Sequence, residues 1–293
     1  MDTYDVVIIG NYTKDTIVSA AGTRLVDGGG FNYGAHVTAM MGLKTAAFTR
    51  LAREDSHVVA VLKQLGIDVF VTFTTNSTHM RLEYPTSNVD ERILTVTSTA
   101  GSFTPAEVEN ISAKLFLINA STRGEVDLDV IQVLRKKEAL IAADVQGFIR
   151  VIARDGNLIY EAWPESRQIL SHIDILKTDA VEAEMLVGEK DIKIAARKIA
   201  ELGPKEIVVT HRDGLLVLAE EQFFEAAFFP EKLIGRSGRG DTCIAAYAAK
   251  RLTASPEEAI TWSAAVTSLK MEAEGPIRRE LIEVENLIQR KYG

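Results

Sequence analysis

The residues with the strongest chemical meaning lie near the C-terminal end, in Ile234-Gly-Arg-Ser-Gly-Arg-Gly-Asp-Thr-Cys-Ile-Ala-Ala-Tyr247. Gly235, Gly238 and Gly240 fall within six residues and lead straight into a run of small residues with helical character. Such a loop can aim several backbone N–H groups at one point. That point is also the positive end of a helix dipole, so it favours an anion. Glycine permits both a positive φ and close approach of a ligand to the backbone. Asp241 stands where loop becomes helix, and from the local pattern it is either an N-cap or an acid–base group. In the second case the loop is a phosphoryl-transfer centre. The N–H groups of Gly238 and Gly240 stabilise charge on the moving phosphoryl oxygens, and Asp241 accepts the proton of an attacking hydroxyl. Arg236 and Arg239 either add positive charge there or point to solvent.

Competing chemistries find little support. There is no G-x-x-x-x-G-K-[ST] sequence, and no G-x-G-x-x-G follows the first strand, which removes a Walker P-loop and a Rossmann dinucleotide site. Arg239-Gly240-Asp241 also spells a cell-adhesion tripeptide, a chance match in an acidic chain of this kind. Cys243 is the only cysteine, so an intrachain disulfide and a cysteine-cluster metal site are impossible. His36, His57, His79, His172 and His211 show no metal-ligand spacing.

The 293 residues are 46% hydrophobic and 25% charged, as expected of a globular protein with a full core. The net charge of -8, from 41 acidic and 33 basic residues without a basic run, argues against a nucleic-acid partner. No stretch approaches the roughly 20 apolar residues of a membrane span. MDTYDVVIIGNY lacks a charged leader region and reads as a buried strand, so a cytoplasmic protein is expected.

The elements that must position the loop follow from periodicity. Val6 to Ile9 is a β-branched run ended by Gly10, typical of a central strand in a covered sheet. Thr13 to Val18 and Thr23 to Val26 are short strand candidates. Gly28, Gly29 and Gly30 then open a helix from Phe31 to Met41 that stops at Gly42. Lys44 to Phe48 reads as a strand and Ser56 to Leu65 as a helix. The alternating runs VFVTFTT, THMRLEYP and RILTVT, between Val69 and Val96, look like a small antiparallel sheet with one wet face. From Thr104 strand and helix patterns alternate. Strands are expected at Leu115 to Ile118, Ala139 to Val145, Ile173 to Lys177, Ile207 to Thr210 and Leu215 to Leu218. Helices are expected at Val126 to Lys137, Ile192 to Leu202, Thr242 to Leu252, Pro256 to Glu274 and Arg278 to Lys291. This predicts one α/β domain over residues 1–293: a doubly wound, mostly parallel sheet covered by helices on both faces. A small antiparallel β lid would be assembled from about 11–28 and 69–98.

With these residues in place the chain resembles the ribokinase-like (PfkB) carbohydrate kinases over nearly its whole length. Gly238-Arg-Gly240-Asp241-Thr242 matches that family's Gly-x-Gly-Asp-[Thr/Ser] signature, and Gly28-Gly29 with Gly42 resembles its N-terminal Gly-Gly element. The resemblance implies an ATP-dependent phosphotransferase acting on a hydroxyl of a sugar or polyol. It implies an anion hole at Gly238, Arg239 and Gly240, and Asp241 as the general base. Gly10 to Asp15 is similar to the family's first strand, whose aspartate binds substrate hydroxyls, so Asp15 with Asn11 and the Gly28–Gly30 backbone would face the acceptor. Asp144-Val-Gln146-Gly147-Phe-Ile-Arg150 resembles a segment of some sugar and polyol kinases, which adds Asp144 and Gln146. Lys177-Thr-Asp179-Ala-Val-Glu182 is similar to the Asn-x-x-Glu motif that places Mg2+ and phosphate. The resemblance therefore implies Asp179 and Glu182 at the metal and Lys177, Thr210, Gly214 and Ser263 around ATP.

Four positions depart from the family pattern. Gly235 stands where an Asp is usual, Asp179 where an Asn is usual, Arg212 where a Gly is usual, and Tyr33 where an Asn is usual. Asn11-Tyr12-Thr13-Lys14-Asp15 and the Asp144–Arg150 segment look more like the myo-inositol kinases of the family, which makes myo-inositol the candidate acceptor. Two alternatives stand beside it. A nucleoside kinase would use Phe31 and Tyr33 as a platform for a base. A catalytically weakened sugar-binding or regulatory relative would be permitted by Gly235 and Arg212. Pairing of lid edges between chains would give a homodimer.

Overall fold

The computed structural model describes residues 3–20, 22–86 and 93–293. The first half runs β1 (Tyr4–Ile9), β2 (Thr13–Ser19), β3 (Gly22–Gly28), α1 (Gly30–Met40), β4 (Thr45–Ala52), α2 (His57–Gln64), β5 (Asp68–Thr74), β6 (Thr78–Glu83) and β7 (Ile93–Ser98). Then follow α3 (Pro105–Val108), β8 (Ala113–Ile118), α4 (Leu128–Arg135), β9 (Leu140–Asp144), α5 (Gln146–Ile149), β10 (Arg150–Ile152), β11 (Leu158–Tyr160) and α6 (Ser166–Leu170). The remainder is β12 (Ile175–Asp179), α7 (Ala180–Val187), α8 (Ile192–Ala200), β13 (Glu206–Thr210), β14 (Gly214–Ala219), β15 (Gln222–Ala227), α9 (Arg239–Lys250), α10 (Pro256–Met271) and α11 (Leu281–Lys291).

Nine strands form the main sheet in the order β15-β14-β13-β12-β9-β8-β1-β4-β5. Seven run parallel, and β14 and β15 are added antiparallel at one edge. Successive residues of a strand feed opposite layers, as the two-residue period requires. Val6 and Ile8 pack with α1, α2, α9, α10 and α11, while Val7 and Ile9 pack with α4, α6 and α8. Both faces of the sheet are therefore covered. That is why the β-branched run at the start shows no alternation. The fold is α/β and ribokinase-like.

The small sheet has the order β3-β2-β6-β7. Its two outer pairs are antiparallel, and β2 joins β6 in parallel at its centre. Ile17, Met80, Leu82 and Val96 fill its inner face, backed by Ile152 and Leu158 of the short β10–β11 hairpin. One part of the expected lid lies elsewhere. The VFVTFTT run is β5, an edge strand of the main sheet paired with β4 from Ala46↔Asp68 to Ala52↔Thr74. An edge strand has one wet flank, and β5 leaves Phe70 and Phe73 half-exposed, so it has the partly solvated character expected of a lid strand. Residue 21 and residues 87–92, part of the expected lid, lie outside the described residues.

Candidate active site

A cleft of 610 Å³ opens between the small sheet and the C-terminal ends of the parallel strands, the usual binding edge of a doubly wound sheet. That volume suits a small-molecule site. One wall comes from the ends of β12 and β13, the starts of α7 and α9, and the 236–241 loop. The other comes from β2, the Gly29–Gly30 turn and the apolar side chains Met80, Leu82 and Leu94.

The loop before α9 has the form its glycines require. Gly238 is the N-cap residue with φ +74°, and a Cβ there would run into the ring of Tyr33. Helix α9 begins at Arg239, three residues before the expected Thr242. Asp241 is thus the third helical residue, not the cap. The Arg239 N–H is taken by Arg236 O at 3.2 Å, and the first bond of the helix is Thr242 N–H to Gly238 O at 3.0 Å. The N–H groups of Gly240 and Asp241 lie between them, at the positive end of the helix. A Cβ on Gly240 would come within 2.6 Å of Lys177 Nζ, so glycine lets that ammonium sit against the helix start.

Behind the loop lies a buried ionic network. Lys177 Nζ bonds Asp144 Oδ2 at 2.9 Å and lies 3.8 Å from Glu182 Oε2, while Arg150 Nη2 reaches Glu182 Oε1 at 3.2 Å. Burial opposes the charge on Lys177 and Arg150, but the carboxylates of Asp144 and Glu182 outweigh it and hold both cations above their usual ranges. Gln146 Nε2 donates to Asp241 Oδ1 at 3.1 Å and fixes the plane of that carboxylate. Burial raises the Asp241 pKa, with Lys177 and Arg150 pulling against it. A base held above the ordinary carboxylate range is better matched to a proton acceptor working near neutrality.

At the opposite end, Asp15 and Thr13 of β2 face the cleft beside Gly29 and Gly30. The entry to the small sheet is held by side chains. Tyr12 N–H donates to Thr49 Oγ1 at 2.8 Å, Asn11 N–H to Glu125 Oε1 at 2.6 Å and Ala52 N–H to Ser77 Oγ at 2.9 Å. Burial pushes Glu125 up to about 7.

Of the residues expected at the site, Asp15, Gly29, Gly30, Gln146, Lys177, Asp179, Thr210, Gly238, Arg239, Gly240 and Asp241 line this one cleft. Others stand behind it. Asn11 turns its amide to Gly101 O at 2.8 Å, Gly28 packs against Asp15, and Asp144 is sealed under Lys177. Gly214 lies against the β15 backbone. Ser263 is buried between α10 and α9, with its hydroxyl on Cys243 O at 2.8 Å. Asp179 and Glu182 form the capping box of α7. Asp179 also faces the cleft and fits a Mg2+ ligand, whereas both oxygens of buried Glu182 are engaged by Arg150 and the Asp179 N–H. Among the described residues no group of three or more His, Cys, Asp and Glu side chains could hold a metal. A Mg2+ ion bound chiefly through phosphate and water fits that arrangement. Phe31 is core, so it offers no platform for a base.

Sequence reasoning gave no role to Ser121, His211, Met80, Leu82, Leu94, Leu158 and Tyr160, which also line the cleft, nor to Glu125 and Lys270 behind it. Alternation in the lid strands was the available signal for Met80 and Leu82. Nothing marked the two buried charges.

The covered parallel sheet, the small β roof and the glycine-cradled helix start are the architecture of a ribokinase-like kinase. The chain belongs to the pfkB family of carbohydrate kinases, whose model matches residues 8–281. A solved pyrophosphate-dependent kinase of the ribokinase family, complexed with a pyrophosphate analog and myo-inositol, is 34% identical to it. Its TM-score is 0.88, and the match covers 96% of this chain and 99% of that one. Another is a pyrophosphate-dependent myo-inositol-1 kinase converted into a myo-inositol-3 kinase by two substitutions to leucine. It is also 34% identical with a TM-score of 0.88, covering 98% and 100% of the two chains. Among curated proteins, a cytidine kinase of Thermococcus kodakarensis is 26% identical over 245 residues, 81% of this chain and 84% of the relative. No helix among the described residues is long and apolar enough to cross a membrane.

Proposed function

We propose that this kinase phosphorylates a hydroxyl of myo-inositol and takes the phosphoryl group from pyrophosphate. The carrying observation is the character of the donor end. Lys177, Arg212, Arg236 and Arg239 line it around the α9 N-terminus, while Ser263, expected beside adenine, is sealed in the core. Four cations and a helix start suit a small, dense polyanion. The sequence led to ATP; the arginines and the buried serine favour the smaller donor. The 34% identity to pyrophosphate-dependent relatives supports the same reading.

In this reading Asp15 and Thr13 accept and donate hydrogen bonds to the cyclitol hydroxyls, and Asp241, oriented by Gln146, takes the proton of the attacking one. The Gly240 and Asp241 N–H groups receive the charge of the moving phosphoryl, with Lys177 fixed beside them. Mg2+, held by Asp179, would supply charge neutralisation at the phosphates. The small sheet acts as a lid that excludes water, since hydrolysis of the donor is the obvious side reaction. Pairing of the exposed β3 edges of two lids would make a homodimer; sedimentation as a monomer at micromolar concentration counts against it.

Myo-inositol has a mirror plane, so its 1- and 3-hydroxyls differ only in handedness and must be told apart by the shape of the wall. Leu82 and Leu94 already stand on the lid side of this cleft. Given what two leucines do in the relative, we assign the product to the 3-position.

The test is turnover of myo-inositol with Mg-pyrophosphate or Mg-ATP, read as phosphate or ADP release, with chiral analysis of the product. Turnover with pyrophosphate alone, absent in Asp241→Asn, is expected. Turnover with ATP alone would overturn the donor assignment, and a nucleoside acceptor would overturn the polyol.

A further inference from the structure

Two of the family departures meet in space. Tyr33, on α1, lies directly beneath Gly238, and Gly235 opens the same loop. Between them stands Lys270, on α10. It is 1% exposed, its Nζ donates to Gly235 O at 2.9 Å, and that nitrogen lies 5.5 Å from the centroid of the Tyr33 ring. A buried lysine with a single hydrogen bond and an aromatic neighbour is costly unless its charge serves something. A side chain at Gly235 would strike Ala273 O, so an aspartate does not fit there and the loop carbonyl is left to meet the ammonium.

We propose that Lys270 is a positioning residue of the phosphoryl-transfer centre: a fixed internal cation that holds the Gly235–Gly238 loop in its anion-binding shape and adds positive potential beneath it. The proposal rests on the kinase reading of the 236–241 loop but not on the identity of the acceptor. The groups that face the ammonium are Asp241 and Arg239 of α9, Tyr33 of α1 and Glu274 just beyond α10. Burial lowers the Lys270 pKa to about 8, against the attraction of Glu274 and Asp241. The ammonium is therefore lost on the alkaline side of neutrality, while Lys177 stays charged there.

Activity and stability then respond in opposite directions. A folded-state pKa below the unfolded one means that the unfolded chain binds more protons between about pH 8 and 10.5, so this group makes the fold more stable as pH rises through that window. Donor binding weakens over the lower part of the same window, because the charged form is the one that supports the loop.

The experiment compares wild type, Lys270→Met and Lys270→Ala by thermal melting, calorimetric titration with inorganic pyrophosphate and turnover from pH 6.5 to 9.5. Lys270→Met is expected to melt no lower than wild type and to bind pyrophosphate at least tenfold more weakly. It should also lose the alkaline decline centred near pH 8, with kcat falling more than the KM for the acceptor rises. Methylammonium should restore part of the binding in Lys270→Ala, by refilling the space left under Gly235. Wild-type pyrophosphate affinity and an unchanged pH profile in Lys270→Met would overturn the proposal. So would a loss of binding that only tracks a lowered melting temperature and resists rescue. Wild type that binds pyrophosphate yet phosphorylates no polyol would remove the acceptor assignment and leave the role of Lys270 standing.

Discussion

The two ends of the cleft are built differently. At the donor end of the proposed site the groups sit on the main sheet and on helix starts: Asp144 closes β9, Asp179 closes β12 with Lys177 two residues before it, and Thr210 closes β13. Their charges are buried and mutually engaged through Lys177–Asp144 and Arg150–Glu182. At the acceptor end Asp15, Met80, Leu82 and Leu94 sit on a separate four-stranded sheet. That sheet meets the body through side-chain-to-backbone bonds such as Tyr12 N–H to Thr49 Oγ1 and Asn11 N–H to Glu125 Oε1. The difference teaches a division of labour. Under the proposed function, the chemistry rests on a buried ionic network and recognition on a roof with its own small core.

If that division is right, removing the base has the largest effect. Asp241→Asn should lower kcat by about a thousandfold, within the range of acid–base catalysis, and leave the melting temperature close to that of wild type. Burial places the Asp241 pKa above its usual value, and the base works deprotonated. Wild-type turnover should therefore rise with pH through a carboxylate step displaced upward, and the variant's residual rate should lack that step. A pH–rate profile of both proteins checks this; an acid limb that persists in the variant would assign it to another group.

The next effect tests the rigidity of the donor end. Lys177→Met leaves Asp144 buried without its ammonium, and breaking one side of such a pair costs about 3–5 kcal/mol. Denaturant titration should show that loss, with weakened donor binding. A loss under about 1 kcal/mol would mean that water or Arg150 takes over, and the donor end would then be as adaptable as the lid.

The acceptor end should answer in specificity. Leu82→Asn with Leu94→Ser changes the shape and polarity of the wall facing Asp15 and leaves the base untouched. The expected result is a shift in the ratio of 1- to 3-phosphate by about tenfold or more, in line with the roughly 1–3 kcal/mol that apolar pocket contacts contribute to discrimination. Leu82 belongs to the core of the small sheet, so a lower melting temperature is expected as well, and the product ratio rather than the total rate is the readout. An unchanged product with reduced turnover would show that the wall only excludes water.

The same division governs what could be read from the chain. The parallel strands were legible because burial on both faces leaves unbroken β-branched runs such as Val6 to Ile9 and Ile207 to Thr210. The anion loop was legible because close approach demands glycine at 238 and 240. Edge strand β5 was assigned to the wrong sheet because its wet flank imitates a lid strand. The start of α9 was placed late because Gly238 and Gly240 on either side of Arg239 are poor helix signals locally, and only the left-handed turn at Gly238 sets the helix there. Lys270 and Glu125 were invisible for another reason: a charged residue reads as solvated from sequence, and only the tertiary fold buries it. Ser263 illustrates the converse, a position whose partners in the core give it no access to the cleft.

The smallest effect lies where roof and body touch at the surface. Arg24 of β3 meets Glu274 at 2.8 Å, and the two side chains are 45% and 37% exposed. Such a pair contributes at most about 1 kcal/mol and is screened by salt, so Arg24→Ala should scarcely change the melting temperature. Its position matters more than its strength. Glu274 follows the helix that carries Lys270, and its backbone packs against Gly235, so the contact joins the edge of the lid to the segment behind the anion loop. If closure of the lid uses this contact, Arg24→Ala should raise the acceptor KM two- to threefold with little change in kcat. Molar salt should produce the same rise in wild type and none in the variant. A salt response that survives the substitution would place the electrostatics of acceptor binding in the cleft and make the Arg24–Glu274 pair a bystander.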